Sequence, residues 1–226
     1  MIELQNVSKT YRLSKENVVD AVRGVSLAII PGEFVTITGR SGSGKTTLLN
    51  LAAGLTTPTS GTVRHNGVDL WSLPDDRQSQ LRACSIGFIF QFPSLLPSLT
   101  ALENVMLPLV FRGDHDDVAA DTERAVELLK SVGLIDKLKA YPRQLSAGQQ
   151  QRVVIARALI NDPGVLLADE PTSNLDEQTE HDIMELFRQI HTQRRLTIVM
   201  VTHTKQLITY GTRAVEMANG QIVNGH

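Results

Sequence analysis

The sequence predicts an α/β fold with a mostly parallel sheet, flanked by an antiparallel β subdomain and a helical subdomain. Apolar runs at residues 34–38, 165–169 and 197–202 have the length and continuity of buried parallel strands. Helix-forming stretches separate these runs along the chain, as in units of strand, helix and parallel strand. The opening third instead contains alternating apolar and polar residues joined by tight turns, which is typical of antiparallel pairing.

Composition is consistent with one domain. The chain has 226 residues, of which 42% are hydrophobic, so a single domain over residues 1–226 is expected. The net charge of −2, from 22 basic and 24 acidic residues, disfavours a nucleic-acid partner. Cys84 is the single cysteine, so no internal disulfide forms and a reducing compartment is expected. The sequence shows neither a signal-peptide pattern nor an apolar run of about 20 residues, so no membrane-spanning segment is predicted.

The opening third is predicted to form the antiparallel strands. Residues 2–7 alternate apolar and polar side chains, as a half-buried strand does. A second strand is expected over residues 22–30. A third is expected over residues 62–67, where Asn66 and Gly67 end it in a tight turn.

Residues 39–46 match the phosphate-loop pattern G-x-x-x-x-G-K-[ST]. A β-rich run at residues 34–38 precedes the match and a helix-forming run at residues 46–53 follows it, which is the context that the motif requires. Glycines let backbone N–H groups approach a polyphosphate, and the helix adds the positive end of its dipole. Lys45 is predicted to reach the β- and γ-phosphates, and Thr46 to hold Mg²⁺. The predicted nucleotide-binding residues of this stretch are Gly39, Arg40, Ser41, Gly42, Ser43, Gly44, Lys45, Thr46 and Thr47.

The middle of the chain is predicted to be largely helical. Thr100 and Glu103 have the spacing of a capping box at a helix N-terminus. Apolar residues recur at helical spacing over residues 118–132. We expect a helical subdomain over approximately residues 92–146, followed by a long helix over residues 147–160.

Two adjacent acids, Asp169 and Glu170, end the apolar run at residues 165–169. Such a strand places both carboxylates at the edge of the sheet where open α/β folds bind ligands. Asp169 is predicted to hold Mg²⁺, and Glu170 to polarise the attacking water near the γ-phosphate. A solvated strand end is the alternative, and it is disfavoured because the chain also contains a phosphate loop.

The last part of the chain continues the alternation of helices and strands. A helix is expected over residues 176–194 and a central strand over residues 197–202. A closing hairpin is expected around Asn219 and Gly220. Together with the phosphate loop, these elements predict a P-loop NTPase core.

A third motif, LSAGQQQR at residues 145–152, resembles the LSGGQ signature that distinguishes the ATP-binding cassette (ABC) family. Tyr11 matches the family's aromatic position that stacks on adenine, Gln91 the glutamine that senses Mg²⁺ and the lytic water, and His203 the histidine that contacts the γ-phosphate. Residues 171–176 resemble the segment that crosses the dimer interface. The resemblance covers nearly the whole chain and implies an ATP hydrolase that uses ATP and Mg²⁺. Its implied catalytic residues are Lys45, Gln91, Glu170 and His203, and its implied Mg²⁺-binding residues are Thr46, Gln91 and Asp169.

The signature implies a second copy of the chain. A helix N-terminus with serine and glycine is an anion site, and in the family the signature of one copy covers the γ-phosphate bound to the other. The resemblance therefore implies a homodimer in the ATP state, with two ATP molecules between its subunits. Ala147 departs from the family's glycine, and its methyl group is expected to restrict a positive φ angle or to crowd the phosphate, with a modest effect on rate. The residues implied to contact the partner's nucleotide are Ser146, Ala147, Gly148 and Gln149.

Residues 88–92, 95–105 and 167–176 resemble one branch of the family. This branch contains lipoprotein-release, macrolide-export and peptide-export ATPases and the cell-division ATPase. Its members dock on a separate integral membrane permease subunit, so the resemblance implies a peripheral protein at the cytoplasmic face of the inner membrane. The docking groove is expected over residues 92–113, although ordinary subdomain core is the alternative for its apolar residues.

Three other functions share some of these features. A force-transmitting regulator like the cell-division member would use the same motifs and move no substrate. A soluble DNA-repair or translation ATPase is disfavoured because the sequence has no second cassette, coiled coil or zinc module and is not basic. A small-molecule kinase would share the phosphate loop but has no use for the signature at residues 145–152.

Overall fold

A computed structural model describes residues 1–12, 14, 18–112 and 117–225. Residues 113–116, which belong to the expected helical subdomain and to the end of the expected docking groove, lie outside these ranges. The strands, numbered in chain order, are β1 Ile2–Arg12, β2 Val18–Ile29, β3 Phe34–Thr38, β4 Ser60–His65, β5 Val68–Asp69, β6 Ile86–Ile89, β7 Val165–Asp169, β8 Thr197–Thr202, β9 Arg213–Ala218 and β10 Gln221–Gly225. The α-helices are α1 Lys45–Ala52, α2 Asp75–Ser85, α3 Ala101–Met106, α4 Val118–Ser131, α5 Ala147–Leu159 and α6 Glu177–Arg194. Short 3₁₀ segments lie at Leu70–Ser72, Leu107–Phe111, Ile135–Lys137, Pro142–Gln144 and Lys205–Tyr210.

The larger sheet has six strands in the order β10-β9-β3-β8-β7-β6. Strands β9, β3, β8, β7 and β6 run parallel, and β10 returns antiparallel to β9. Every residue of β3 and β8 is buried, as expected for apolar strands covered on both faces. In the parallel register Thr38 lies opposite Thr202, and Asp169 opposite Val201. The carboxyl ends of β3, β7 and β8 therefore meet at one edge of the sheet.

The smaller sheet is antiparallel and has the order β2-β1-β4-β5. Asn66 and Gly67 have φ angles of 50° and 82° and make the tight turn between β4 and β5. Helix α1 lies between the two sheets, because Leu48, Leu49 and Leu51 share one apolar core with residues of both. The helix that follows the phosphate loop is thus anchored on two sides.

A second apolar core joins helices α3, α4, α5 and α6 to the other face of the larger sheet. Thr100 and Glu103 form the predicted capping box at the start of α3, and Ser146 forms another with Gln149 at the start of α5. These caps satisfy backbone N–H groups that have no partner within the helix. In the described ranges, no helix is long and apolar enough to span a membrane.

The predicted fold class is confirmed, since a mostly parallel sheet, an antiparallel sheet and a helical part are all present. The predicted bounds of β1, β2 and β4 are wrong: β1 continues to Arg12 rather than residue 7, and β4 spans Ser60–His65 rather than residues 62–67. Strand β2 begins at Val18 rather than residue 22, because it pairs with Tyr11 and Arg12 at the end of β1. Strand β6 ends at Ile89, the last residue that pairs with β7, so Gln91 lies in the loop that follows.

Candidate nucleotide-binding site

A cavity of about 780 Å³ lies over the phosphate loop, between the loop, β1, β2 and the turn that joins β9 to β10. It is the meeting point of most of the residues that the sequence singled out. The predicted site residues that line it are Tyr11, Ser41, Gly42, Ser43, Gly44, Lys45, Thr46, Thr47, Gln91 and Glu170. Gly39 and Arg40 lie beside it, because their carbonyl groups contact Lys45.

The phosphate loop is held closely against its neighbours. Gly44 has a φ angle of 100°, and a Cβ atom there would lie 2.1 Å from the Ala21 carbonyl oxygen of β2. The Gly220 N–H donates to the Ser43 carbonyl at 3.0 Å, which ties the loop to the β9–β10 turn. Glycine at position 44 therefore permits both the backbone conformation and the close approach of β2.

The loop presents the chemistry that a polyphosphate requires. Lys45 is buried, and its Nζ donates to the Gly39 and Arg40 carbonyls at 2.9 and 3.1 Å. The buried Ser43 hydroxyl oxygen has no hydrogen-bond partner in the structure. The first turn of α1 contains no acidic residue that would repel an anion. A buried cation, an unpaired hydroxyl and a helix N-terminus together fit a bound triphosphate.

A pair of oxygen atoms beside the loop fits a divalent cation. The Thr46 hydroxyl donates to Asp169 Oδ1 at 3.1 Å, which joins the start of α1 to the end of β7. Burial raises the pKa of Asp169, and the hydrogen bond from Thr46 opposes this rise. Gln91 lines the same cavity and adds a carboxamide oxygen. Hydroxyl, carboxylate and carboxamide oxygens are ligands that Mg²⁺ accepts.

Glu170 is the centre of a second group of polar side chains. His203 Nδ1 donates to Glu170 Oε2 at 3.0 Å, and Gln91 Nε2 approaches the same oxygen at 3.5 Å. Glu170 has a φ angle of 45°, an unusual conformation for a residue with a side chain. Its N–H donates to the Val201 carbonyl of the neighbouring strand at 2.9 Å, which fixes this backbone. The strained residue thus carries the carboxylate that the sequence assigns to water activation.

Tyr11 lines the cavity from the end of β1. It pairs with Val19 across the β1–β2 ladder, and both residues line the cavity. Lys9 Nζ lies 5.2 Å from the centroid of the Tyr11 ring, within the range of a cation–π contact. Since Lys9 occupies one face of the ring, a stacked base would use the other.

Two segments that line the cavity were missed by sequence reasoning. The first is the start of β2, and the second is the turn that joins β9 to β10. The Asn-Gly pair did predict a turn, but its place beside the loop follows from the pairing of β9 with β3. The missed residues are Val18, Val19, Asp20, Ala21, Arg23, Asn219 and Gly220.

The residues of the signature lie apart from this cavity. None of Ser146, Ala147, Gly148 and Gln149 lines it, and Ser146 and Ala147 are exposed. Gly148 packs against α6, since a Cβ atom there would lie 2.5 Å from Thr179 Cγ2. The expectation that Ala147 needs a positive φ angle is wrong, because Ala147 is the first residue of α5 and has a helical backbone.

A second cavity, of about 520 Å³, is here called the apolar groove. It lies between α2, β6, α5 and the 3₁₀ segment Leu107–Phe111, and its lining includes Leu55, Phe88, Phe90, Pro108, Phe111 and Arg157. Leu55, Phe90 and Phe111 are 48%, 45% and 71% exposed, which is unusual for large apolar side chains at a free surface. The docking groove was expected over residues 92–113. Pro108 and Phe111 lie within this range, and the other lining residues lie outside it.

Comparison with known proteins adds to this geometry. Residues 22–173 match the protein family described as "ABC transporter". The chain is 45% identical over 223 residues to "Lipoprotein-releasing system ATP-binding protein LolD" of Geobacter metallireducens, covering 99% of this chain and 98% of that protein. It is 46% identical over 222 residues to "Macrolide export ATP-binding/permease protein MacB" of Syntrophobacter fumaroxidans, covering 98% of this chain but only 31% of that protein. A solved structure, "Dimeric structure of a post-hydrolysis state of the ATP-binding cassette MJ0796 bound to ADP and Pi", matches with a TM-score of 0.92 at 42% identity, covering 100% of this chain and 98% of that one.

Proposed function

Because the chain belongs to the ABC transporter family, we propose that it binds and hydrolyses ATP as the nucleotide-binding subunit of a transporter. One observation carries the proposal for this chain's own residues. Lys45, Thr46 and Glu170 line the same cavity. Asp169 and His203 lie behind them, hydrogen-bonded to Thr46 and to Glu170. A binding module without hydrolysis would not need the Glu170 carboxylate in its strained conformation.

The reaction is the attack of water on the γ-phosphorus of ATP, which gives ADP and inorganic phosphate. Lys45 and the backbone N–H groups of the phosphate loop would hold the phosphates, and Thr46, Asp169 and Gln91 would hold Mg²⁺, which neutralises phosphate charge. Glu170 would orient and polarise the attacking water, since its carboxylate lines the cavity. His203 donates to Glu170 Oε2, so it fixes that carboxylate and stands beside the developing phosphate charge.

A second copy of the chain would complete each site. The signature residues Ser146 and Ala147 are exposed and lie away from the cavity of their own subunit. Their helix N-terminus can cover a phosphate only from another subunit. The dimeric form of the cassette MJ0796 supports the same arrangement here. We infer that two copies pair around two ATP molecules and separate after hydrolysis.

A membrane subunit would occupy the apolar groove. The MacB relative is named for both an ATP-binding and a permease part, and this chain spans about a third of its length. The permease part of such a transporter must therefore contact the surface of a chain like this one. The exposed Phe90 and Phe111, with Arg82 and Arg157 at their side, suit a short amphipathic segment of a permease. The protein would then lie peripherally at the cytoplasmic face of the inner membrane.

The exporter branch is the proposed class of transporter. Relatives named for lipoprotein release and for macrolide export match this chain over nearly its whole length. One name describes release and the other export, and neither describes uptake. We propose this direction of transport for the complex that contains this chain.

Phosphate release from MgATP tests the hydrolytic proposal. Glu170→Gln should keep ATP binding while its rate falls at least about 100-fold, since general-base groups contribute roughly 10²–10⁴-fold. Glu177→Gln is the matched control, because Glu177 is an exposed acid in the first turn of α6 and does not line the cavity. A Glu170→Gln protein that hydrolyses ATP at the wild-type rate would contradict the assigned role.

A further inference from the structure

Arg157 of α5 joins the apolar groove to the loop that carries Gln91. Its guanidinium lines the groove, and it also donates two hydrogen bonds to the backbone. Nη1 donates to the Ser94 carbonyl at 2.9 Å, and Nη2 donates to the Pro93 carbonyl at 3.2 Å. This forked geometry suits a planar guanidinium and cannot be reproduced by a lysine.

The loop segment that Arg157 holds is strained. Ser94 has a φ angle of 46°, in the left-handed region. This region is unfavourable for a non-glycine residue, so the conformation needs fixed partners to persist. The Ser94 hydroxyl donates to the Phe92 carbonyl at 3.1 Å, and Arg157 donates to the carbonyls of Pro93 and Ser94.

The next part of the loop has a separate anchor. Asn104 is fully buried and bonds the backbone of Leu96, Leu99 and Thr100. Asn104 therefore fixes the part of the loop that is distant from the cavity, whereas Arg157 fixes the part next to Gln91.

The position of Gln91 is finely balanced. Its Nε2 lies 3.5 Å from Glu170 Oε2, at the outer limit of a hydrogen bond. A shift of a few tenths of an ångström in the loop would make or break this contact. Only Phe92 separates Gln91 from Pro93, so a displacement of the Pro93 carbonyl is transmitted directly to Gln91.

We propose that Arg157 is a positioning residue, which sets Gln91 against Glu170. Its two bonds hold the Pro93 and Ser94 carbonyls in place. Loss of these bonds moves the Gln91 side chain relative to the catalytic carboxylate. The inference rests on the proposed function, because it assigns a residue that sets the geometry of ATP hydrolysis.

Steady-state hydrolysis of MgATP by the isolated chain tests the positioning role. In Arg157→Gln and Arg157→Lys we expect kcat to fall at least roughly fivefold, since small misplacements of catalytic groups cost up to about 100-fold. KM should stay within about twofold of wild type, because Arg157 does not line the nucleotide cavity. The matched control is Arg77→Gln. Arg77 is an exposed arginine of α2 that donates to Gln80 Oε1 and lines neither the apolar groove nor the nucleotide cavity, so kcat should not change.

The same substitutions in a Gln91→Ala background separate positioning from a general loss of structure. If Arg157 acts through Gln91, Arg157→Gln should lower kcat no further once Gln91 is absent. An unchanged kcat in Arg157→Gln, or the same fold loss with and without Gln91, would overturn the proposal. Should Arg157→Gln fail to fold, Arg157→Lys gives the same comparison.

Hydrogen exchange distinguishes failure of this inference from failure of the proposed function. Amides of residues 90–92, 94 and 95 should exchange faster in Arg157→Gln than in wild type, whether or not the chain hydrolyses ATP. A wild-type chain without ATPase activity would contradict the proposed function alone. Unaltered exchange in this segment would overturn the role of Arg157 alone.

Discussion

Replacing Gly44 by alanine would place a methyl carbon 2.1 Å from the Ala21 carbonyl oxygen. Ordinary van der Waals contact begins at 3.4 Å, so the loop or β2 must move by the difference, about 1.3 Å. The neighbour is backbone of a paired strand and not the end of a flexible side chain. The phosphate loop therefore has to leave its place against β2.

The expected cost has two parts. A side chain at a φ angle of 100° adds about 1–2 kcal/mol of backbone strain. Movement of the loop away from β2 also breaks the bond from Gly220 N–H to the Ser43 carbonyl, worth about 1 kcal/mol. The free energy of unfolding should thus fall by about 2–3 kcal/mol.

Gly42→Ala is the matched control. Gly42 also has a positive φ angle, 76°, but a Cβ atom there meets nothing within 4 Å among the residues that the structure describes, so only the strain of about 1–2 kcal/mol applies. The difference of about 1 kcal/mol corresponds to a Tm roughly 2–4 °C lower for Gly44→Ala in a domain of this size. Thermal unfolding without nucleotide measures it. Equal Tm values for the two variants would refute the argument from close approach.

Two further predictions concern residues away from the phosphate loop. Ala147→Gly should leave the ATPase rate within about tenfold, or roughly 1.4 kcal/mol of barrier, because Ala147 already has a helical backbone and an exposed methyl group; a larger change in steady-state rate would contradict this. Burial lowers the pKa of His65, and this effect outweighs that of its hydrogen bond to the Ala52 carbonyl. Below about pH 6.5 the unfolded chain therefore binds a proton at His65 that the folded chain does not bind. The free energy of unfolding falls as the pH is lowered through this range. In His65→Gln the free energy of unfolding, measured with urea, should fall less between pH 7.5 and 5.5 than in wild type. An equally large fall in the variant would contradict the role of His65.

Local patterns determined much of the fold. Strands β3, β7 and β8 have the predicted bounds because each is a short run dominated by apolar and β-branched residues, which suit a strand covered on both faces of the sheet. The capping box of Thr100 and Glu103 was also predictable, since both of its residues lie within one helical turn.

Features that depend on long-range pairing were not predictable in the same way. Asn219 and Gly220 reach the cavity only because β9 pairs with β3, more than 170 residues earlier in the chain. The bond from Thr46 to Asp169 likewise spans 123 residues. The expectation of a positive φ angle at Ala147 was wrong although a helix was predicted from residue 147, because Ser146 caps α5 and the residue after the cap already has a helical backbone.

The shared catalytic site is tested most directly by the oligomeric state of Glu170→Gln, measured by size-exclusion chromatography with light scattering. With saturating ATP and Mg²⁺ the protein should elute at twice the monomer mass, and with ADP as a monomer. Adding Ala147→Glu should abolish the dimer, because a carboxylate at this exposed helix N-terminus suits the free subunit but repels the partner's γ-phosphate. A Glu170→Gln protein that stays monomeric with ATP, or a dimer that tolerates Ala147→Glu, would contradict a site completed by a second copy.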